Sequence, residues 1–186
     1  MNISLKKLYK ASVMLLFSSI GLLSSCIPTD PEVPRTLIGK WELQTIDVQL
    51  RTTSAADLSQ TENYEDQELF FQFLAGERFA TNTDLSLNKL LLDSGNTITG
   101  RFSFTETNNR NSIRITVRDR QYNGDVELNF EIIDLESDKP ILLMDKQDYV
   151  NSLRSSAETV PNEFRDNLIT FSNRINQARF SLNFNK

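Results

Sequence analysis

The chain has 186 residues and a mass of 21.3 kDa, a length that suits one domain. It carries 20 basic and 25 acidic residues, 12 phenylalanines, one cysteine and no histidine. Those counts exclude every histidine-based triad, every His or Cys metal site and every internal disulfide, and the acidic balance excludes a general nucleic-acid binder, whose phosphate contacts need clustered Lys and Arg.

The first 25 residues read as a targeting segment. Lys6, Lys7 and Lys10 form a basic start, followed by an apolar run of about 13 residues from Ala11 to Leu23. That run is shorter than the roughly 20 apolar residues needed to cross a bilayer. Removing residues 1–25 takes away three lysines and no acid, which leaves 17 basic against 25 acidic residues, a charge of −8. Leu23-Ser24-Ser25-Cys26 resembles the lipobox of bacterial lipoproteins, an aliphatic residue and two small ones before a cysteine. The resemblance implies cleavage before Cys26, diacylglycerol on its sulfur and a third acyl chain on its amine. Two or three acyl chains hold firmly, because each buried methylene adds about 0.8 kcal/mol. Residues 26–36 then form a lipidated tether, with Pro28, Pro31 and Pro34 giving a stiff, extended spacer. Ile27 after the cysteine lacks the aspartate that retains some lipoproteins in the inner membrane. Asp30 and Glu32 resemble the acidic export signal of Bacteroidota lipoproteins, so the expectation is an outer-membrane protein on either its periplasmic or its cell-surface face.

From residue 37 to 186 the pattern predicts one domain. Ile38 to Arg51 places Trp41 and Leu43 in one phase and Ile46, Val48 and Leu50 in the other, as a bulged strand does. Residues 52–66 are polar and acidic and read as a loop. Gln67 to Leu74 is strongly apolar, and Ala75-Gly76-Glu77 makes a three-residue hairpin loop that sets Phe73 opposite Phe79 and Phe71 opposite Thr81. Asp84 to Leu92 reads equally as strand or helical turn. Thr97 to Thr105 alternates, with Ile98, Phe102 and Phe104 on one face and Gly100 among them. Asn108 to Asn111 is turn chemistry. Ser112 to Gln121 and Val126 to Ile133 flank Asn123-Gly124, a two-residue hairpin turn that predicts Val117 opposite Phe130 and Ile115 opposite Ile132. On the outer face Arg120 would then meet Glu127, with Glu127 and Glu131 diagonal to Arg118.

Pro140 to Lys146 predicts another buried strand. From Pro161 to Asn176 the period changes, with Phe164, Leu168, Phe171 and Ile175 forming an amphipathic helical stripe. Ser155-x-x-Glu158 offers a capping-box pattern, which leaves room for an earlier helix over about 148–157. Arg179 to Asn185 ends the chain as a strand, with Phe180, Leu182 and Phe184 alternating. The fold class is all-β, an antiparallel meander barrel of about eight strands with one amphipathic helix before the last strand. Pairing the last strand with the first closes the barrel and removes both edges.

Gly39-Lys40-Trp41, at the start of the first strand, resembles the Gly-x-Trp motif of lipocalins, and residues 37–186 are similar in arrangement to lipocalin-like lipoproteins. The resemblance implies that Trp41 lies across the barrel floor beneath an arginine near the last strand, Arg179 or Arg174. It departs in placing the helix before the last strand rather than after the eighth. In such a barrel Trp41, Phe71, Phe73, Phe102, Phe104, Val117 and Phe130 face inward and either line an apolar cavity or fill it.

No residue pattern supports catalysis. Glu62, Glu65, Asp66 and Glu68 sit in or beside the first long loop, and nothing in their spacing makes a facing carboxylate pair. Asp134-x-Glu136-x-Asp138 lacks the glycine and the distal glutamate of a calcium loop and reads as a polar turn. Arg101, Arg110, Arg114, Arg118 and Arg120 form the one basic stretch, an anion or polysaccharide contact on one reading and cross-strand ion pairs on the other. Neither a Gly-x-Ser-x-Gly elbow nor a glycine-rich phosphate loop occurs. The expectation is a protein that is not an enzyme, with no cofactor and no metal. It would reach the membrane through Cys26 and bind a small apolar or lipid-like ligand in its barrel. The alternative is an accessory interaction subunit of an outer-membrane complex, with a protein partner.

Overall fold

A computed structural model of the chain describes residues 33–83, 94–108, 110–119 and 124–186. Its centre is β1 (Gly39–Thr52), whose length lets it meet three partners. Gly39–Glu42 pairs with β3 (Phe70–Leu74), Thr45–Leu50 pairs with β2 (Leu58–Asn63), and Glu42–Thr52 runs along β9 (Ile175–Asn185) on the other edge. The register slips between Leu43 and Thr45. That bulge lets Trp41 and Leu43 face inward before it and Ile46 and Val48 after it.

The expected loop at 52–66 therefore holds a strand. β2 reads as a loop because neither of its faces enters the core, so no apolar alternation marks it. Its pairing rests on the ladder to β1 and on polar ties, Thr61 Oγ1 to Asp47 Oδ1 at 2.6 Å and Arg51 Nη2 to Asp57 Oδ2 at 2.8 Å.

β3 and β4 (Arg78–Thr83) form the expected hairpin, with Phe73 opposite Phe79 and Phe71 opposite Thr81. Gly76 and Glu77 take left-handed φ of +73° and +57° in its loop. Asp84 to Leu92 lies outside the described residues. β5 (Ser94–Thr107) and β6 (Arg110–Asp119) continue the meander.

The hairpin of β6 with β7 (Gly124–Ile133) keeps the expected faces but not the expected register. Val117 pairs with Val126, Ile115 with Leu128 and Ile113 with Phe130, a shift of four residues. An even shift leaves every side chain on its own face, so the inner face survives. The reason lies at Gly124, which belongs to the strand opposite Asp119 rather than to a two-residue turn. A Cβ there would lie 2.8 Å from the Val160 Cα, so the glycine serves close packing against the segment that follows the first helix. The ion pairs move with the register. Arg118 meets Asp125 at 3.5 Å, Arg114 stands 4.0 Å from Glu127 and Arg110 meets Glu131 at 3.1 Å, while Arg120 lies outside the described residues.

β8 (Ile141–Asp145) passes directly into α1 (Lys146–Thr159), and α2 (Asn162–Asn173) follows, so two helices rather than one precede the last strand. The N-cap of α1 is Asp145, whose carboxylate accepts the Asp148 amide at 2.9 Å. Ser155 and Glu158 consequently lie inside α1 and cap nothing. Pro161 sits at the start of α2; Leu168 is buried, Phe164 and Phe171 are half-buried against the core, and Ile175 already belongs to β9.

α1 takes the place of a strand. β8 reaches only Glu131–Ile133 of β7, which leaves the edge from Asp125 to Asn129 without a ladder on that side. Serine hydroxyls of α1 meet it: the Asn129 amide donates to Ser152 Oγ at 3.0 Å and the Glu127 amide to Ser156 Oγ at 3.1 Å, while Thr159 Oγ1 donates to the Asp125 carbonyl. Four helical residues rise about 6 Å and two strand residues about 6.8 Å, so serines one turn apart match alternate amides of a strand. The result is a closed antiparallel barrel of eight strands, β1 and β3 to β9, with β2 as an extra outer strand, two helices in the β8–β9 connection and a lipocalin-like architecture.

Candidate functional site

The inward aromatic residues come together as expected, and they fill the barrel. Trp41, Phe71 and Phe73 are 0% exposed, and Phe102, Val117, Phe130 and Phe104 are 5% or less. Trp41 lies 4.9 Å from Phe73 and 5.8 Å from Phe184, ring centre to ring centre, and Phe73 lies 5.3 Å from Phe102. Phe71 closes the layer against Phe79 and Phe184 at 5.3 and 5.1 Å. The contacts are edge-on or tilted, as aromatic quadrupoles prefer. Toward the other end Tyr149 of α1 packs on Phe180 at 4.7 Å, a contribution from a helix that the sequence pattern did not place in the core.

Gly39 opens β1 at the floor and Trp41 lies buried beside it, but among the described residues no arginine covers the indole. Arg179 is exposed, on the outer phase of β9 opposite Asp145 and Gln49. Arg174 is exposed at the C-cap of α2, where its carbonyl accepts the Thr53 amide. Lys186 does the covering instead. Its Nζ lies 5.2 Å from the Trp41 ring centre and donates to the Leu135 carbonyl, while its amide donates to the Asp138 carbonyl at 2.9 Å. Burial lowers the Lys186 pKa from its usual 10.5, against the opposing charges of Glu136 and Asp138. The Asp134–Asp138 turn thus clasps the floor. The Trp41 Nε1 is buried without a hydrogen-bond partner.

The carboxylates of the first long segment do not converge: Glu65, Asp66 and Glu68 are exposed, and Glu62 lies on β2 opposite Ile46. Among the described residues no group of three or more acids is placed to hold a metal ion, and no helix is long and apolar enough to cross a membrane. Cys26 lies outside the described residues.

A polar hollow lies on the outside. Where α1 leans over β5, β6 and β7 it leaves a groove of about 530 Å³. The strand wall presents Ser103, Thr105, Arg110, Ser112, Arg114 and Asn129, with Ile113 and Phe130 between them, and the helix wall presents Asp148, Asn151, Arg154, Ser155 and Glu158. The alternation that turns Phe102, Phe104, Ile113 and Ile115 inward turns the serines and arginines between them outward. Arg110 bridges the walls, with Nε 3.1 Å from Glu131 and Nη2 3.0 Å from Asp148. Burial, then the neighbouring Asp145 charge, raise the Asp148 pKa above 3.8 against the pull of Arg110. Sequence reasoning found Arg110 and Arg114 as part of a basic stretch but missed Arg154, because the helix that carries it was only a possibility there. Family descriptions, curated proteins and solved structures were compared with the chain, and none of the three comparisons finds a match.

Proposed function

We propose that this chain is a non-enzymatic lipoprotein, held at the outer membrane by acyl groups on Cys26, that acts as an accessory subunit of an outer-membrane complex through the outer wall of its barrel. The filled interior is the observation that supports this reading. A cavity for a small ligand takes about 300 Å³ or more, and here Trp41, Phe71, Phe73 and Phe79 occupy that space with 1% exposure or less. The lipocalin-like architecture favours a second reading, a small apolar or lipid-like ligand inside the barrel, for which these rings must part or α1 must leave β7.

Native mass spectrometry separates the two, on lipidated protein purified from its own host in mild detergent. The expected result is an acyl mass on Cys26 and a stoichiometric protein partner, with no small apolar molecule retained. Retention of a small apolar mass through delipidating washes, with no partner, would move the function inside the barrel. Loss of membrane association in Cys26→Ser tests the anchor separately.

A further inference from the structure

The arginines of the outer groove are of two kinds. Arg110 is compensated by two carboxylates, Glu131 and Asp148. Arg114 and Arg154, on opposite walls, are each oriented by an amide oxygen, and Arg114 has in addition a long ion pair. Arg114 Nε donates to Asn129 Oδ1 at 3.1 Å, and its nearest carboxylate, Glu127, stands 4.0 Å away. Arg154 Nη2 donates to Asn173 Oδ1 at 3.1 Å, and no carboxylate lies within 4 Å of it among the described residues. An amide fixes the direction of a guanidinium without cancelling its charge, and the long pair with Glu127 leaves further N–H groups of Arg114 unused, so both keep donors for charge-assisted bonds to an incoming anion. Asn129 is itself fixed, donating from Nδ2 to Ser152 Oγ at 3.2 Å. The strand-side anchor of the groove is therefore part of the seam that holds α1 to β7.

The rest of the groove selects the ligand. Ser103, Ser112, Ser155, Thr105 and Asn151 supply hydroxyl and amide groups around a space of about 530 Å³. That space exceeds what a bare phosphate or sulfate fills, and so polar a lining does not suit an apolar molecule. Glu158 stands on the helix wall without an ion-pair partner among the described residues. Its charge favours a ligand with one anionic group over a polyanion. We propose that the groove between α1 and β6 binds a small acidic sugar, a hydroxylated ring bearing a single carboxylate or phosphate group, with Arg114 and Arg154 supplying the charge and the serines meeting the ring hydroxyls. The proposal concerns the barrel wall alone and does not depend on how the protein docks at the membrane.

Calorimetric titration of the full lipidated chain in a neutral detergent tests it, with glucuronate, glucose 6-phosphate, glucose and inorganic phosphate as the probes. Saturable binding is expected for at least one of the two acidic sugars, and which one binds tells carboxylate from phosphate. Arg114→Gln and Arg154→Gln should each weaken that binding by about tenfold, whereas Arg51→Gln, on the β1–β2 hairpin, should leave it unchanged. The Arg114 side chain is 58% exposed, so its variant should fold, and matched thermal melting verifies this for both. Absence of saturable binding by either acidic sugar overturns the proposal. So does equal affinity for glucose or for inorganic phosphate, or binding that both arginine variants retain in full.

Discussion

Asp148 shows how one residue is pulled in opposite directions by the groove it lines. Its amide is fixed by the Asp145 carboxylate, and its own carboxylate meets Arg110 at 3.0 Å. A guanidinium that close ordinarily lowers a carboxyl pKa, yet burial and the Asp145 charge outweigh it and raise Asp148 above 3.8. The direction fixes a pH dependence. Between pH 3.8 and the raised value, the folded protein still holds a proton that the unfolded chain has released. The Asp148 contribution to stability is therefore greatest below 3.8, falls as pH rises through that window and is flat above it. Urea unfolding across that range should show a shallower fall in Asp148→Asn than in the parent chain. A carboxyl titration by NMR that placed Asp148 at or below 3.8 would mean that Arg110 outweighs burial.

At the level of elements, the most consequential choice is the use of a helix where a barrel wall calls for a strand. Ser152 and Ser156 are 0% exposed, and their hydroxyls are the partners of two β7 amides. Ser152→Ala or Ser156→Ala leaves a buried N–H without an acceptor, at a cost of about 1–3 kcal/mol each, offset by the few tenths that alanine gains in a helix. Ser152 should cost more, since it serves both the amide and the side chain of Asn129 and donates back to the Asp148 carbonyl at 2.9 Å. Urea midpoints of the single and double variants read this directly, and costs near zero would show that water replaces the hydroxyls. The same serines explain why α1 was hard to read. They stand between Tyr149, Val150, Leu153 and Ala157 on the buried side, so the stripe is half polar and its period is blurred. The β3–β4 hairpin was legible down to its pairs because alternating phenylalanines and a loop glycine agree. β2 was not, since a strand that buries neither face carries no alternation. The β6–β7 register slipped because Gly124 answers to Val160, a residue distant in sequence, and a local turn rule has no access to that contact.

For the whole molecule, alternation gives the face that a side chain takes but not the diameter of what it faces. That is why the seven candidate lining residues could be assigned inward from sequence, while the difference between a lined cavity and a packed core could not. The structure decides it through residues outside that set: Phe79 and Phe184 complete the aromatic layer over Trp41, and Tyr149 enters from α1. A filled barrel should behave as a solid, and cutting one ring from it tests this. Phe73 sits among Trp41, Phe79 and Phe102, with ring centres 4.9, 5.4 and 5.3 Å away. Phe73→Ala should cost about 3–5 kcal/mol and leave an apolar void, the kind that stays dry and takes up a small aromatic. Benzene should then raise the melting temperature of the variant and leave that of the parent chain unchanged, since a ligand stabilises only a state with room for it. Phe73→Leu, a milder cut, should show the same difference on a smaller scale if the alanine variant is too unstable to melt cleanly. An equal rise in the parent chain would mean that its interior already admits an apolar guest, and the barrel would return to being the site of binding.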